Sequence, residues 1–441
     1  MPFEAPAARV RERLARLVEL RPQEFIVLAW AWLYVLALMA AYYVIRPIRD
    51  TMGVEGGVEN LQWLFTGTLL AMLAINPPYA ALVRRLPRVR FITWTYLFFA
   101  TNLIGFIFLL QAADEMQRIW IGRGFFIWVS VFNLFVVSVF WALMVDVFRA
   151  EQARRLFGLI SAGATVGAIC GSARASGLAS RLEAHWLLSA SALLLLLAVL
   201  AVRRLSQLAP HLREPGSDAA AAAEREAEAP VGGSILSGLT HMLRSPYLLG
   251  IGAYILLFTV TSTFLYFQQA SIVRDHFPDR ASRTAFFANV DLVVNILTLL
   301  LQVFLTSRFI KCFGVAIAAA VLPALSLAGF GLLALAPTVA AIVAVQVLRR
   351  VANFGLAKPT REMLFTVLPR EDKYKAKSVL DTVVYRSGDQ LGSWSYALLG
   401  SLGAGVAGVA LTAVPLAALW VGNALWLGRR QKQLAAEAAQ R

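Results

Sequence analysis

Long apolar stretches alternate with short polar segments along almost the whole chain. Dividing the chain wherever charge or a Pro/Gly cluster interrupts an apolar run leaves about twelve runs, each near the roughly 20 residues that span a bilayer as a helix. They extend over 25–44, 61–82, 91–110, 119–147, 156–178, 186–202, 247–268, 284–305, 313–335, 339–364, 379–399 and 406–427. The pattern predicts an all-α polytopic membrane protein.

The composition excludes other classes of protein. Hydrophobic residues make up 59% of the chain and charged residues 15%, whereas soluble proteins average about 25% charged residues. A soluble enzyme of this length could not bury so much apolar surface, and an outer-membrane barrel would show short alternating segments instead of long apolar runs. Cys170 and Cys312 are too few for a disulfide framework, so we expect reduced thiols.

Basic residues are concentrated in alternate connections between the apolar runs. The chain carries 41 Lys and Arg against 26 Asp and Glu, a formal net charge of +15. In a soluble protein this excess would suggest nucleic acid, but here the positive-inside rule accounts for it. We therefore expect both termini in the cytoplasm and no nucleic-acid partner. Residues 1–22 form a basic amphipathic segment, which we expect to lie on the inner leaflet.

A low-complexity segment divides the apolar runs into two sets of six. Residues 203–245 include the alanine-rich stretch 217–230, whose composition is typical of a linker. We predict a cytoplasmic linker between an N-terminal half at 23–202 and a C-terminal half at 246–428, followed by a cytoplasmic tail at 429–441. Two similar six-helix halves joined in this way resemble the major facilitator superfamily.

Basic residues recur at matching places in the two halves. Leu-x-x-Arg-x-x-Arg follows the second run and Leu-x-x-Arg-x-x-Lys follows the eighth, and both resemble, in degenerate form, the basic inner-loop motif of that superfamily. We expect these loops and acids at the inner helix ends to latch the outward-open state. The alternative is that the loops only determine topology. The predicted inner gate consists of Arg85, Arg88, Glu151, Arg308, Lys311 and Asp381.

Ionisable residues inside the spans point to function, because charge in hydrocarbon is costly. Deep cations outnumber deep acids, and an uncompensated cation in a cavity favours an anionic substrate; the planar fork of Arg matches phosphate. We expect a substrate cavity near the midplane, between the halves. The predicted substrate-binding residues are Arg46, Arg49, Arg123, Asn295, Arg350 and Arg386.

A second group of deep residues is predicted either to couple transport to its driving force or to form charge pairs. We estimate the depth of each residue in the membrane from a rise of about 1.5 Å per residue along its span. These depths predict that Arg350 pairs with Asp389, and that Lys358 or Arg361 pairs with Asp381. Such pairs could instead be internal ion pairs that only hold helices together. The predicted coupling or charge-pair residues are Asp291, Asp389, Lys358, Arg361 and Glu362.

The fifth run is crowded with small residues. Gly163, Gly167 and Gly171 are spaced four apart, a pattern typical of close helix packing. The chain lacks the motifs of a phosphate-binding glycine loop and of a zinc protease. It also lacks a plausible Ser/His/Asp set. We expect no enzyme activity, no cofactor and no metal ion.

Four segments carry a resemblance to a known family. They are 46–51 (Arg-Pro-Ile-Arg-Asp-Thr), 56–66, 126–141 and 151–158. Here the chain resembles the ATP/ADP translocase (NTP/NDP exchange transporter) family, and more narrowly its free-living bacterial branch. The plastid and parasite exchangers of that family carry a lysine in the first loop, whereas this chain has Met52. We also expect a monomer in a bacterial inner (cytoplasmic) membrane.

Three functions remain open from the sequence. The first is a secondary transporter that exchanges a phosphorylated anion, such as a nucleotide or another organophosphate, by alternating access, with Arg46 and Arg49 serving the phosphates. The second is a proton-coupled transporter of another small solute, with Asp291 or Asp389 carrying the proton. The third is a membrane scaffold or sensor that does not transport. For all three functions we also expect the protein to interact with the lipid bilayer that surrounds it.

Overall fold

The computed structural model describes residues 24–148, 150–179, 181, 183–209, 242–243, 245–368, 377 and 379–439. Helices account for nearly all of these residues, and no strand occurs among them. The predicted amphipathic segment 1–22 and most of the predicted linker lie outside the described residues. Where the chain is described, the expected all-α membrane fold is confirmed.

Thirteen α-helices, one 3₁₀ helix at Val58–Asn60 and two π-helical segments make up the regular structure of the described chain. The helices of the first half are α1 Glu24–Glu55, α2 Leu61–Arg85, α3 Arg88–Ala112, α4 Glu115–Val147, α5 Ala150–Leu178 and α6 Ala184–Leu208. Those of the second half are α7 Pro246–His276, α8 Arg280–Phe304, α9 Thr306–Leu335, α10 Val339–Ala352, α11 Lys358–Leu364, α12 Tyr385–Ser401 and α13 Val406–Ala439. The π-helical segment Asn353–Ala357 joins α10 to α11, and the segment Leu380–Val384 leads into α12.

Eleven helical stretches of the described chain are long and apolar enough to span a membrane. The difference from the expected twelve is the predicted span 379–399. It is helical, but its first turn is π-helical and it carries Asp381, Arg386 and Asp389. These charges lower the mean hydropathy of the span.

Several helices start where a polar side chain binds the free backbone N–H groups of the first turn. Asp114 and Gln117 form a reciprocal capping box at α4, with Asp114 Oδ1 accepting from Gln117 N at 2.7 Å. At α8, Asp279 accepts from Ser282 N at 2.8 Å. The hydrogen bonds that Asp279 accepts from Ser282 hold the pKa of this carboxyl below its usual range, because they favour the charged carboxylate. Both caps lie in connections between spans, where the sequence becomes polar.

The described helices divide into two compact units. The first unit comprises Met1–Arg49, Leu70–Ala229 and Thr284–Leu292, and the second comprises Asp50–Leu69, Pro230–Arg283 and Val293–Arg441. The end of α1 and the start of α2 therefore belong with helices of the second half, and the early part of α8 belongs with helices of the first half.

Aromatic side chains fill the core of the first unit. Tyr34, Tyr96 and Phe140 are almost fully buried. The hydroxyls of Tyr34 and Tyr96 are hydrogen-bonded to each other, and Tyr34 packs edge-on against Phe140 with ring centroids 4.9 Å apart. Because each buried hydroxyl has a partner, these tyrosines cost little to bury. The pair links α1 to α3, which also packs along α6.

The core of the second unit is built around Trp420 on α13. This side chain is completely buried, and its ring centroid lies 5.3 Å from that of Tyr254 on α7. Helix α7 packs against both α12 and α13, and α9 runs along α13. Helix α7 therefore occupies a central place in its unit.

Glycines let one helix approach another closely in each unit. In the first unit, a Cβ at Gly171 of α5 would lie 2.5 Å from the carbonyl oxygen of Ala40 on α1, and one at Gly167 would overlap the carbonyl of Leu36. In the second unit, a Cβ at Gly392 of α12 would lie 2.9 Å from Cβ of Thr263 on α7. The close packing expected for the fifth span is confirmed, and the eleventh span meets the seventh in the same way.

We predict that Gly167→Ala destabilises the protein, because the new methyl group collides with backbone atoms of α1, and overpacking of this kind costs about 1–3 kcal/mol. The measurement is the unfolding temperature of the purified protein in detergent. Gly158→Ala on the same helix is the matched control, since a Cβ there meets no atom within 4 Å. This control should keep or raise the unfolding temperature through its better helix propensity. An equal effect of the two substitutions would contradict the packing account.

Candidate functional site

Two π-helical segments mark the region of the second unit where charged residues collect. The segment Asn353–Ala357 precedes Lys358 and Arg361, and the segment Leu380–Val384 contains Asp381. A π-helical turn holds extra residues, so it changes the direction in which the following side chains point, and such turns are frequent at functional sites. The tenth and eleventh spans each carry one.

Arg349 at the end of α10 is a buried cation held by neutral oxygen atoms. Only 4% of the residue is exposed. Its guanidinium donates to the hydroxyls of Ser326 at 2.7 Å, Ser262 at 3.0 Å and Thr261 at 2.6 Å, and to the carbonyl of Phe258 at 3.3 Å. Within the described chain none of its hydrogen-bond partners is a carboxylate. The hydrogen bonds fix its position and leave its positive charge uncompensated by an acid.

The acids near α11 are paired with cations. Arg361 Nη2 lies 3.5 Å from Asp381 Oδ1, which is one of the two pairings predicted for Asp381. Glu362 is paired with Lys377. Lys358 instead lies over the ring of Phe354, 4.8 Å from its centroid, and its side chain is exposed. Among the residues that the structure describes, no carboxylate lies within ion-pair distance of Lys358.

Asp389 on α12 pairs differently from the prediction. Its carboxylate accepts from Arg386 Nη1 at 3.3 Å, and the exposed fractions of the two side chains are 16% and 34%. Arg386, rather than Arg350, is its ion-pair partner within the described residues. The reason is local, since residues three apart on a helix share one face. A comparison of residue depths on separate spans does not identify a partner that lies on the same helix.

The first unit contains a second charged group, at the end of α1. Arg46 Nη1 lies 3.5 Å from Asp291 Oδ1 of α8, and only 3% of the Asp291 side chain is exposed. Arg49 lies over the ring of Phe126 at 4.8 Å from its centroid, and Arg123 lies over Trp120 at 4.5 Å. Three predicted substrate-binding cations therefore lie against aromatic rings or a buried acid.

The polar stripe of α8 faces the interior of the protein. Asp291, Asn295 and Thr298 are 2%, 6% and 6% exposed, whereas Val293 and Leu300 on other faces are 44% and 47% exposed. An amphipathic helix with its polar face inward is the reverse of a surface helix in water, and it is expected where the outside is lipid. Asn295 is thus buried, as a substrate-binding residue would be.

Sequence reasoning missed a set of contacts between α1 or α2 and helices of the second half, all within the second unit. Tyr266 donates to Asp50 at 3.0 Å, and Arg280 donates to Glu55 at 2.6 Å. Thr66 donates to Gln390 at 2.9 Å. Apart from Gln390, which lies within the predicted eleventh span, these residues occupy connections or span ends predicted to face away from the cytoplasm. Nothing in the local pattern identifies partners this distant in sequence.

The predicted inner gate is only partly described. Arg88 forms an ion pair with Asp146, an acid of α4 in its own unit. No described carboxylate lies within ion-pair distance of Arg85, Arg308 or Lys311, and the side chain of Glu151 lies outside what is described. The residue Glu24, which sequence reasoning missed, is 2% exposed and accepts from Arg155 at 3.0 Å.

Comparisons with known proteins agree with this architecture. The family model described as Major Facilitator Superfamily matches residues 31–383. ADP,ATP carrier protein 2 of Chlamydia pneumoniae is 22% identical over 512 residues, covering 98% of this chain and 93% of the relative. ADP,ATP carrier protein 1 of the same organism is 22% identical over 354 residues, covering 71% of this chain and 68% of the relative.

A solved structure supports the fold. The inward open xylose transporter XylE from E. coli is similar with a TM-score of 0.62 and 10% sequence identity, covering 91% of this chain and 95% of that chain. At this identity the likeness concerns the fold alone. The expected resemblance to the ATP/ADP translocase family within the major facilitator fold is confirmed by the relatives and the family model together.

We predict a measurable coupling between Arg46 and Asp291. Removing either partner takes an opposite charge away from the other in a largely buried setting, so Arg46→Gln and Asp291→Asn should each lower the unfolding temperature. The double variant should lose less stability than the sum of the single losses, and coupling energies for such contacts reach about 0.5–3 kcal/mol. The measurement is a double-mutant cycle on the purified protein.

The control cycle uses Arg430 and Glu437 of α13. Their charged groups lie at a similar distance, 3.6 Å, but 42% and 54% of the side chains are exposed. Exposed pairs contribute about 0–1 kcal/mol. A coupling for Arg46 and Asp291 no larger than that of the exposed pair would argue against a buried ion pair at the end of α1.

Proposed function

The chain belongs to the Major Facilitator Superfamily and is a membrane transporter, and we propose that it exchanges a phosphorylated anion, such as a nucleotide, by alternating access. The observation that carries this proposal is the charge balance around α10–α12. The acids there, Glu362, Asp381 and Asp389, are each paired with a cation. Among the residues described there, Arg349 and Lys358 have no carboxylate within ion-pair distance.

Those two cations differ in what they offer a substrate. Arg349 is buried and already hydrogen-bonded by hydroxyls, so it contributes a fixed positive field. Lys358 is exposed and has a free ammonium group above Phe354, so it can bind a ligand directly. Positive charge in a low-dielectric region, such as the surroundings of Arg349, is costly unless an anion compensates it. A phosphate group would supply that compensation.

The cations of the first unit support the same class of substrate. Arg46, Arg49 and Arg123 are arginines whose guanidinium groups are held by aromatic rings. Three arginines in one region of this unit supply positive charge, and the planar guanidinium group matches the geometry of phosphate oxygens. The names of the Chlamydia relatives point to adenine nucleotides, although Met52 stands in the first loop where exchangers of that family carry lysine.

The buried acid of α8 favours a second candidate, a proton-coupled transporter of another solute. Asp291 is 2% exposed and paired with Arg46, and a buried carboxylate beside a cation is a common arrangement for a proton carrier. The two candidates differ in what drives transport. Exchange needs substrate on both sides of the membrane, whereas proton coupling needs a pH gradient.

We predict that phosphorylated solutes raise the unfolding temperature of the purified protein, because a ligand that binds only the folded form stabilises it, by about 2.7 kcal/mol at a hundred times its dissociation constant. The panel pairs ATP and ADP with adenosine, and a sugar phosphate with its free sugar. Phosphorylated members should stabilise and compete with one another, and added salt should weaken them. Stabilisation by adenosine or free sugar alone would overturn the anion proposal.

Substitutions of individual residues then test whether these cations contribute to ligand binding. Lys358→Gln should weaken nucleotide binding by about tenfold, the effect of losing one charge-assisted hydrogen bond of about 1.5 kcal/mol. Arg350→Gln should cost more affinity than Arg350→Lys, which keeps the charge. The matched control is Lys432→Gln, an exposed lysine of the same unit with no ion pair among the described residues, which should leave binding unchanged.

Transport is measured with the full chain in liposomes. Labelled nucleotide should enter only liposomes that contain unlabelled substrate, without a pH gradient. Uptake that follows an imposed pH gradient and needs no internal substrate would favour the proton-coupled candidate. Binding without transport under either condition would favour a sensor.

A further inference from the structure

An apolar groove lies on the first unit, between α2, α3 and α4. Its volume is about 570 Å³, and Tyr79, Trp94, Phe98 and Trp128 are among the residues that line it. This volume is within the roughly 300–1,000 Å³ that small-molecule sites occupy. The lining contains almost no polar atoms, so an aqueous solute would find few hydrogen bonds there. The groove is therefore suited to a hydrocarbon chain.

The open side of the groove is formed by exposed aromatic side chains of α3. Trp94 and Phe98 are 67% and 59% exposed, and both lie in a helix that is long and apolar enough to span the membrane. Side chains of this kind, exposed on a spanning helix, face lipid when the protein is in a bilayer. An acyl chain can thus enter the groove sideways from the membrane.

One end of the groove lies beside cations. Leu82, Leu86 and Phe91 line that end, and they flank Arg85 and Arg90 in the sequence. Both arginines are exposed, and no described carboxylate lies within ion-pair distance of either. Leu82 and Arg85 share a helix face at a spacing of three, and Arg90 and Trp94 share one at a spacing of four.

We propose that this groove binds an anionic phospholipid of the leaflet at that end, with one acyl chain in the groove and the phosphate on Arg85 and Arg90. The hydrocarbon chain matches the apolar lining, and the headgroup supplies the negative charge that the two arginines lack. Arg88 is not required, because its charge is already paired with Asp146. The proposal does not depend on which solute is transported.

Native mass spectrometry of the full chain tests the headgroup contact. The protein is equilibrated with equal amounts of dioleoyl phosphatidylglycerol and dioleoyl phosphatidylcholine, and the ratio of the two retained lipids is measured. The wild type should retain phosphatidylglycerol preferentially. Arg85→Gln and Arg90→Gln should each lower that ratio by about fivefold, which corresponds to about 1 kcal/mol per basic residue at an anionic surface.

The control for charge is the double variant of Arg203 and Arg204 to Gln. Both are exposed arginines near the end of α6 in the same unit, but neither lines the groove. They should leave the ratio unchanged. If they lower it as much as the substitutions at Arg85 and Arg90, the preference reflects general attraction to a basic surface, and the proposed site is wrong.

A second variant tests the acyl chain. Gly124 lines the groove, and a Cβ there meets no atom within 4 Å. Gly124→Leu should therefore fill the groove without distorting the helices and reduce retention of both lipids several-fold. Gly105→Leu is the matched control, because it also meets no atom within 4 Å but lies outside the groove. Equal retention in the two glycine variants would overturn the proposal.

Discussion

A carboxylate among membrane helices is stable only when a cation or a hydrogen-bond donor lies against it, and this constraint organises the charged part of the structure. Each acid described in the tenth and eleventh spans has a cation partner. The buried acids Glu24 and Asp291 also have one. Among the described residues of the tenth span, Arg349 and Lys358 have no carboxylate within ion-pair distance.

Arg349 shows how a protein can retain a buried cation without an acid. Three hydroxyls and a carbonyl from α7 and α9 surround its guanidinium, and the rings of Phe258 and Trp420 lie 5.6 and 5.9 Å away. Dipoles and ring faces satisfy its donors but do not cancel its charge. This arrangement differs from a structural ion pair, in which the net charge is zero.

Close glycine contacts and a π-helical segment both affect the position of α12, but in different ways. Gly388 and Gly392 bring α12 against α7, which limits how far α12 can turn. The π-helical segment just before α12 changes the direction of the chain within that limit. Tight packing on one face and irregular backbone at the start of the helix together place Arg386 and Asp389. In the first unit, α5 has the glycine contact with α1 and no π-helical segment among its described residues.

The amino-acid sequence alone determined the number and placement of most helices, because an apolar run that crosses lipid must satisfy its own backbone hydrogen bonds and can only be helical. The inward polar face of α8 was also visible in the sequence, since helical spacing places Asp291, Asn295 and Thr298 on one face. The sequence also showed that the eleventh span carries charged residues, namely Asp381, Arg386 and Asp389. The resemblance carried by 46–51 and 126–141 identified the family.

Only the tertiary structure decided which charges meet. Asp50 accepts a hydrogen bond from Tyr266, 216 positions away in sequence, and Asp291 forms an ion pair with Arg46 of the first helix. No periodicity encodes such pairs, because they depend on how helices pack. The pairing of Asp389 with Arg386 was local, yet depth estimates favoured Arg350. The two π-helical segments leave no signature in a hydrophobic pattern, because one extra residue in a turn changes side-chain direction without changing composition.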